Sequence, residues 1–183
     1  MIIWLSGPTG AGKTSVASVL SRHGYRVIRE TAPTQIFEAF AAEPQRYCYD
    51  VQRALMGSRK KQWDATASRK KVVFDRSIDE DIAVFCRMHL QNGYLNVDEF
   101  NRLAKFADSL RAGLPAPDLI IYLQASEDVL EQRLLIKGHP TIIRDNLCVQ
   151  LQLYEDWISS RHESVVRIDS SRCKVETLLR THL

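Results

Sequence analysis

Short apolar runs alternate with longer amphipathic stretches along this chain of 183 residues. Ile2-Ile3-Trp4-Leu5 predicts a buried strand over 2–6, and the 3.6-residue periodicity that follows predicts a helix over 12–23, stopped by Gly24. Tyr25-Arg26-Val27-Ile28-Arg29 is a second short strand. Pro33 and Pro44 punctuate the next region, and a long helix begins near Pro44, with proline tolerated in its first turn, and runs toward Trp63. Lys71-Val72-Val73-Phe74 is the third strand. Helices follow over 79–90, closed by Asn92-Gly93, and over 98–111, closed by Gly113. The strongest strand pattern is 117–123. After it come a helix over 126–133, a polar break at Lys137-Gly138-His139-Pro140, helical pattern over 144–160, a strand over 164–168 and a terminal helix over 175–181.

Five apolar strands separated by helices predict an α/β fold, a five-stranded parallel sheet flanked by helices on both faces. The length fits one domain over 1–183. Ligands in such folds bind beyond the carboxyl ends of the strands.

That end is where the chemistry falls. Gly7-Pro8-Thr9-Gly10-Ala11-Gly12-Lys13-Thr14 matches G-x-x-x-x-G-K-[ST] between the first strand and the first helix. Gly7, Gly10 and Gly12 allow backbone conformations that turn successive N–H groups, including those of Ala11, Thr14 and Ser15, toward phosphate oxygens, and the helix N-terminus adds partial positive charge. Lys13 is expected to reach the β- and γ-phosphates of ATP, and the Thr14 hydroxyl to ligate Mg2+. Glu30 ends the second strand and Asp75 the third. A carboxylate at such a position can take a proton from an acceptor hydroxyl or hold the metal's hydration shell. Asp75 has the apolar-run-then-Asp form of the metal-side carboxylate, and Arg76 beside it can offset charge on a transferring phosphoryl group.

Gly7–Thr14, strand-end Glu30, Asp75-Arg76-Ser77, the strand 117–123 and Tyr154-Glu155-Asp156-Trp157 occur in an order that resembles the deoxynucleoside kinase family, within the thymidylate-kinase-like phosphate-loop kinases. The resemblance implies an ATP-dependent kinase that phosphorylates a hydroxyl of a nucleoside or deoxynucleoside. It implies Glu30 as the base, Arg76 as support for the base and the phosphates, and Gln52 at the nucleobase edge, with an exposed helix position the alternative for Gln52. Tyr47 and Phe37 would offer aromatic surface to the base, with core packing the alternative for each. Arg53 or Arg46 would clamp a phosphate if the acceptor were a nucleoside monophosphate. The family's arginine-rich lid corresponds to a segment at about 134–146. This stretch and the turn before it keep Arg133 and Lys137 but carry Leu135 and His139 in place of arginines and Ile142 in place of an acid. Arg144 is one turn further on. The proline that usually follows the strand-two glutamate is delayed to Pro33. The family often dimerises through its helices.

Composition narrows little. Net charge is +3, compatible with an anionic substrate. The clusters Arg59-Lys60-Lys61 and Arg69-Lys70-Lys71 read as solvated surface, with nucleic-acid contact the minority reading. Cys48, Cys86, Cys148 and Cys173 have no metal spacing and are expected to stay reduced. No apolar run has membrane-span length and no secretory leader is read, so the cytosol is the expected compartment. A nucleotide-binding switch is the non-enzyme alternative. Against it, no Asn-Lys-x-Asp guanine-reading motif occurs.

Overall fold

In the computed structural model the described residues are 1–29, 31, 34–66 and 70–171. The chain forms two compact units. The first comprises Met1–Arg29, Ser68–Arg76 and Ala116–Leu183 and holds the sheet. Its strands are β1 (Ile2–Ser6), β2 (Arg26–Ile28), β3 (Val72–Asp75), β4 (Leu119–Gln124) and β5 (Val165–Asp169), in the order β2-β3-β1-β4-β5 and all parallel. The strand order reverses direction at β1, so the loop leaving β1 sits at the topological switch point where this fold class binds ligands.

Strand alternation sorts the side chains onto two faces. Ile3 and Leu5 of β1, Val73 of β3 and Ile121 and Leu123 of β4 are buried in one cluster with Val16, Val19 and Leu20 of α1 (Lys13–Arg22) and Leu130 and Leu134 of the later helix 127–136. On the opposite face, Tyr122 stacks on Tyr154 of the late helix 147–159, with ring centroids 5.7 Å apart. Each of these buried aliphatic side chains stabilises the sheet by roughly 1.5–3 kcal/mol.

The second unit, Glu30–Ala67 with Ser77–Pro115, is helical. It contains α2 (Thr34–Ala42), α3 (Pro44–Asp64), and a run of α4 (Ile78–Glu80), a π-helical segment (Asp81–Cys86) and α5 (Arg87–Gln91). α6 (Val97–Arg111) follows, opened by a capping box in which Asn96 and Glu99 bond each other's backbone N–H groups. Back in the first unit are α7 (Glu127–Ile136), α8 (Thr141–Arg144) and α9 (Leu147–Ser159).

The five expected strands are present, each within two residues of its expected ends. Three helical expectations change. The region between Pro33 and Pro44 contains α2, whose apolar residues Ile36, Phe37 and Phe40 pattern correctly but whose flanking prolines mask it. The helix expected at 79–90 contains the π segment, and the helix expected at 144–160 is present as Leu147–Ser159, preceded by a separate short helix over Thr141–Arg144. The expected terminal helix 175–181 lies outside the described residues, as do Pro33, Arg69 and Cys173. Among the described residues no helix is long and apolar enough to cross a membrane.

Candidate active site

Gly7 is the fixed point of the loop after β1. Its φ is 141°, and a Cβ there would stand 2.3 Å from the Leu123 carbonyl oxygen of β4, so no side chain fits. Its own carbonyl accepts from Lys13 Nζ at 2.7 Å, Tyr154 Oη at 2.9 Å and Arg76 Nη1 at 3.1 Å. Lys13 Nζ also donates to the Pro8 carbonyl at 2.9 Å. The lysine thus lies folded onto its own loop, nine-tenths buried, with backbone carbonyls occupying the donors that a phosphate would take. Gly12, with φ 94°, is the N-cap of α1, so Lys13, Thr14 and Ser15 form the first turn, with the Ser15 N–H bonded back to the Gly12 carbonyl at 3.0 Å. Thr14 and Ser15 are exposed, and Ala11 is fully buried.

Side chains from β3 and α9 brace this loop. Arg76 directly follows β3 and is, among the described residues, the non-glycine residue with positive φ, 71°, a conformation costing about 1 kcal/mol or more unless its surroundings hold it. The hold is visible: its N–H continues the ladder to the Leu5 carbonyl at 3.0 Å, Nη1 bonds both Gly7 O and Tyr154 Oη (2.5 Å), and Nη2 approaches Thr9 Oγ1 at 3.5 Å. From α9, Gln150 Oε1 accepts from the Thr9 N–H at 3.1 Å. Gln150 and Tyr154 lie one helical turn apart, so one face of α9 grips both ends of the loop's first half. Gln150 was not legible as a site residue, because a lone glutamine on an apolar helix carries no motif.

Arg133 of α7 donates Nη1 to Gly10 O at 3.2 Å and to Ser170 Oγ at 3.1 Å, and Nη2 to Ser170 O at 2.7 Å. It ties the middle of the phosphate loop to the end of β5. Lys137 caps the end of α7, and its charge, after burial, lowers the pKa of His139. Leu135 and Ile136 are exposed.

Asp75 ends β3 in register with Leu5 of β1, two residues before Gly7, and is half-buried. Its carboxylate and the exposed Thr14 hydroxyl are hard oxygen donors in the same unit as the loop, a donor set that suits Mg2+ completed by phosphate oxygens and water.

In the second unit, Gln52 on α3 is buried, and its Oε1 accepts from Cys86 Sγ at 3.8 Å. Burial, then the charge of Asp81 and the neighbouring Cys48, push the Cys86 thiol well above its ordinary pKa, so it stays a protonated donor. Two turns along α3, Arg59 forms a paired contact with Asp81 of the π segment: Nε to Oδ2 at 2.6 Å and Nη2 to Oδ1 at 3.1 Å, with both side chains buried. This corrects the expectation that Arg59-Lys60-Lys61 is solvated surface. Arg59 lies seven residues after Gln52, hence on the same inward face, whereas Lys60 reaches out to Asp64 and Lys61 is exposed. Asp81 was missed because its partner is remote in sequence. The π turns carrying it are the kind of helix irregularity that recurs at functional sites.

The other candidates separate. Tyr47 is half-buried beneath the Arg46 guanidinium, Phe37 is exposed, and Arg53 lies over the Phe106 ring at 4.9 Å. Glu30 lies outside the described residues. Among the described residues no cluster of histidine, cysteine and acidic side chains could hold a metal without phosphate, and Cys48, Cys86 and Cys148 are free thiols.

A family model described as deoxynucleoside kinase matches residues 3–179. The chain is 28% identical to a deoxyadenosine kinase of Lactobacillus acidophilus over 177 residues, covering 89% of this chain and 82% of that protein. It is 26% identical to a deoxyguanosine kinase of the same organism, covering 85% and 74%. A solved structure of deoxyadenosine kinase from M. mycoides with bound dATP superposes with a TM-score of 0.86 over 99% of this chain and 98% of that one, at 19% identity, a likeness of fold.

Proposed function

The chain belongs to the deoxynucleoside kinase family, enzymes that phosphorylate a deoxynucleoside hydroxyl with ATP, and from that membership we propose how its residues divide the work. The phosphate loop with Lys13 and Arg76 holds the triphosphate. A phosphate oxygen replaces the Gly7 and Pro8 carbonyls as the partner of Lys13 Nζ, an exchange that strengthens the bond because the new acceptor is charged. Arg76, already set beside the loop by its strained backbone, offsets charge building on the transferring group. Thr14 and Asp75 would hold Mg2+, which when bound neutralises charge on the β- and γ-phosphates. Glu30 takes the proton of the acceptor hydroxyl.

Gln52, Asp81 and Arg59 read the base. The Gln52 carboxamide offers one acceptor and two donors, matching an exocyclic amino group beside a ring nitrogen, as in adenine and cytosine. Asp81 is acceptor-only, so it favours the same amino group and disfavours a keto oxygen in its place. Arg59 keeps that carboxylate ionised within a buried setting. The acceptor is therefore a deoxynucleoside whose base carries an amino group, and deoxyadenosine and deoxycytidine are preferred over thymidine.

The observation that carries the reading is the phosphate loop gathered on the Gly7 carbonyl by Lys13, Arg76 and Tyr154 within a chain of this family. The test is ATP consumption with Mg2+ across deoxyadenosine, deoxycytidine, deoxyguanosine, thymidine, their monophosphates and a short oligonucleotide, with Glu30→Gln alongside. Turnover on an amino-bearing nucleoside that drops at least a hundredfold in the variant is expected. Turnover only on a monophosphate, or an unaffected Glu30→Gln, overturns the assignment.

A further inference from the structure

A second positively charged feature stands apart from the phosphate loop, on the outer edge of the sheet. β2 is the edge strand, paired among the described residues with β3 alone. Along it lies an open concavity of about 790 Å³ lined by Arg26, Arg29, Lys70 and Lys71, with Tyr25 and Val27 among the residues between them. All four cationic residues are exposed, and among the described residues no carboxylate lines the hollow. Lys71 is oriented by its ammonium resting 5.2 Å from the Tyr25 ring centroid. The chain has 25 basic and 22 acidic residues.

An anionic partner must meet like charges that repel one another until neutralised. Backbone pairing is not what the edge offers. The Arg26 N–H bonds inward to the Lys71 carbonyl, so in a strand of three residues only Val27 turns its N–H and C=O outward. That is too short an edge for an added peptide strand, which draws its affinity from repeated main-chain bonds. Charge is the feature available for recognition, and a chain of evenly spaced phosphates supplies it without demanding a register.

We propose that the β2-edge hollow is a docking surface for the phosphodiester backbone of a single-stranded nucleic acid, separate from the kinase site and independent of base sequence. Four cations neutralising about four phosphates set the strength of its salt dependence, with a log–log slope of about −3 for a single strand. Affinity then falls in the range of non-specific binding, on the order of 1–100 µM at physiological salt.

The test is fluorescence anisotropy of a labelled twelve-nucleotide deoxythymidine strand, blocked at both terminal hydroxyls so that it cannot be an acceptor. It is titrated with the full chain in the presence of Mg-ATP between 50 and 200 mM salt. The triple variant Arg26→Glu, Lys70→Glu, Lys71→Glu is expected to weaken binding at least tenfold and to flatten the slope to about −1 or less, with nucleoside phosphorylation unchanged as proof of folding. Arg29 is left intact because it adjoins Glu30. Lys13→Ala should leave strand binding as it is. The proposal is overturned if the wild type fails to bind below 100 µM at 50 mM salt, or if the triple variant binds as well as the wild type. Loss of binding in Lys13→Ala instead would move the strand to the phosphate loop. Inorganic tripolyphosphate binding the hollow while the strand does not would replace the strand with a small polyphosphate. Self-association of the triple variant with no strand binding by the wild type would leave the cations as guards of an open sheet edge.

Discussion

The phosphate loop and the Gln52–Arg59–Asp81 face of α3 and the π segment are both built from polar groups held out of water, but they are held in opposite ways. In the loop the key acceptor is a backbone carbonyl, Gly7, with donors from α1, from the end of β3 and from α9. A donor can be lost there and others remain, because a carbonyl is neutral and has lost no charge partner. In the second unit a central contact is a guanidinium on a carboxylate, both buried. Removing either takes an ionic partner from a buried charge. The first arrangement tolerates exchange of partners, which suits the proposed exchange of carbonyls for phosphate at Lys13. The second is rigid, which suits a site that discriminates.

Breaking the loop at its fixed point gives the largest effect expected. Gly7→Ala places a Cβ against the Leu123 carbonyl oxygen at a φ that disfavours any side chain, so either β4 shifts or the loop opens. ATP binding measured by calorimetry should be lost, and the melting temperature should fall by more than for any surface alanine substitution. Preserved ATP affinity in this variant would show that the loop's course is not set by the close approach of β1 and β4. Next is Arg59→Met, which removes the guanidinium paired with buried Asp81 and should cost about 3–5 kcal/mol in denaturant unfolding. Arg59→Met with Asp81→Leu should recover most of that stability, while discrimination between deoxyadenosine and thymidine stays lost. If the double variant keeps its base preference, the pair is a structural element alone.

The same contrast explains what could be read from the sequence. The phosphate loop is a local motif whose residues are neighbours in the chain, and the five strands are short apolar runs, so both were legible. Arg76 stood out in the sequence as a candidate, while its positive φ did not, because nothing about an arginine announces a left-handed backbone. Arg59 was misread as surface because it adjoins two lysines. The signal that would have placed it inward is its seven-residue spacing from Gln52, on one helix face. Asp81 and Gln150 depend on partners 22 and 141 residues away, a distance over which hydrophobic patterning carries no information. Helix α2 was hidden by its bounding prolines, and the π segment by having the composition of an ordinary helix.

A pH prediction sharpens the rigid side of the comparison. His89, on α5, is buried between Phe40 and Tyr94, at 5.3 and 5.9 Å from their ring centroids, and burial lowers its pKa to about 4. It is neutral when folded at neutral pH. Between its ordinary value near 6.5 and about 4, the unfolded chain holds more proton than the folded one, so stability must fall as pH drops through that window. The full cost is about 3 kcal/mol at most, complete below pH 4, where folded and unfolded states are both protonated. His89→Phe should flatten this part of the unfolding profile measured from pH 7 to pH 4. An unchanged slope would assign the acid sensitivity to other groups.

The smallest effect tests the tolerant side. Tyr154 Oη accepts from Arg76 Nη1 and donates to the Gly7 carbonyl, so it joins two groups that also bond each other directly. Tyr154→Phe keeps the ring stacked on Tyr122 and removes only the hydroxyl. Gly7 O retains Lys13 and Arg76 as donors, so no acceptor is stranded, and the loss should be about 1 kcal/mol or less. If the loop is held redundantly, the variant should fold almost as stably as the wild type and raise the KM for ATP a few-fold with little change in kcat, since the loop still forms but less of the time. A fall in kcat of tenfold or more at unchanged KM would mean instead that the hydroxyl holds Arg76 in its strained, positive-φ conformation. The redundancy on Gly7 would then be only apparent, and Tyr154 would be the group that sets the arginine's position for phosphoryl transfer.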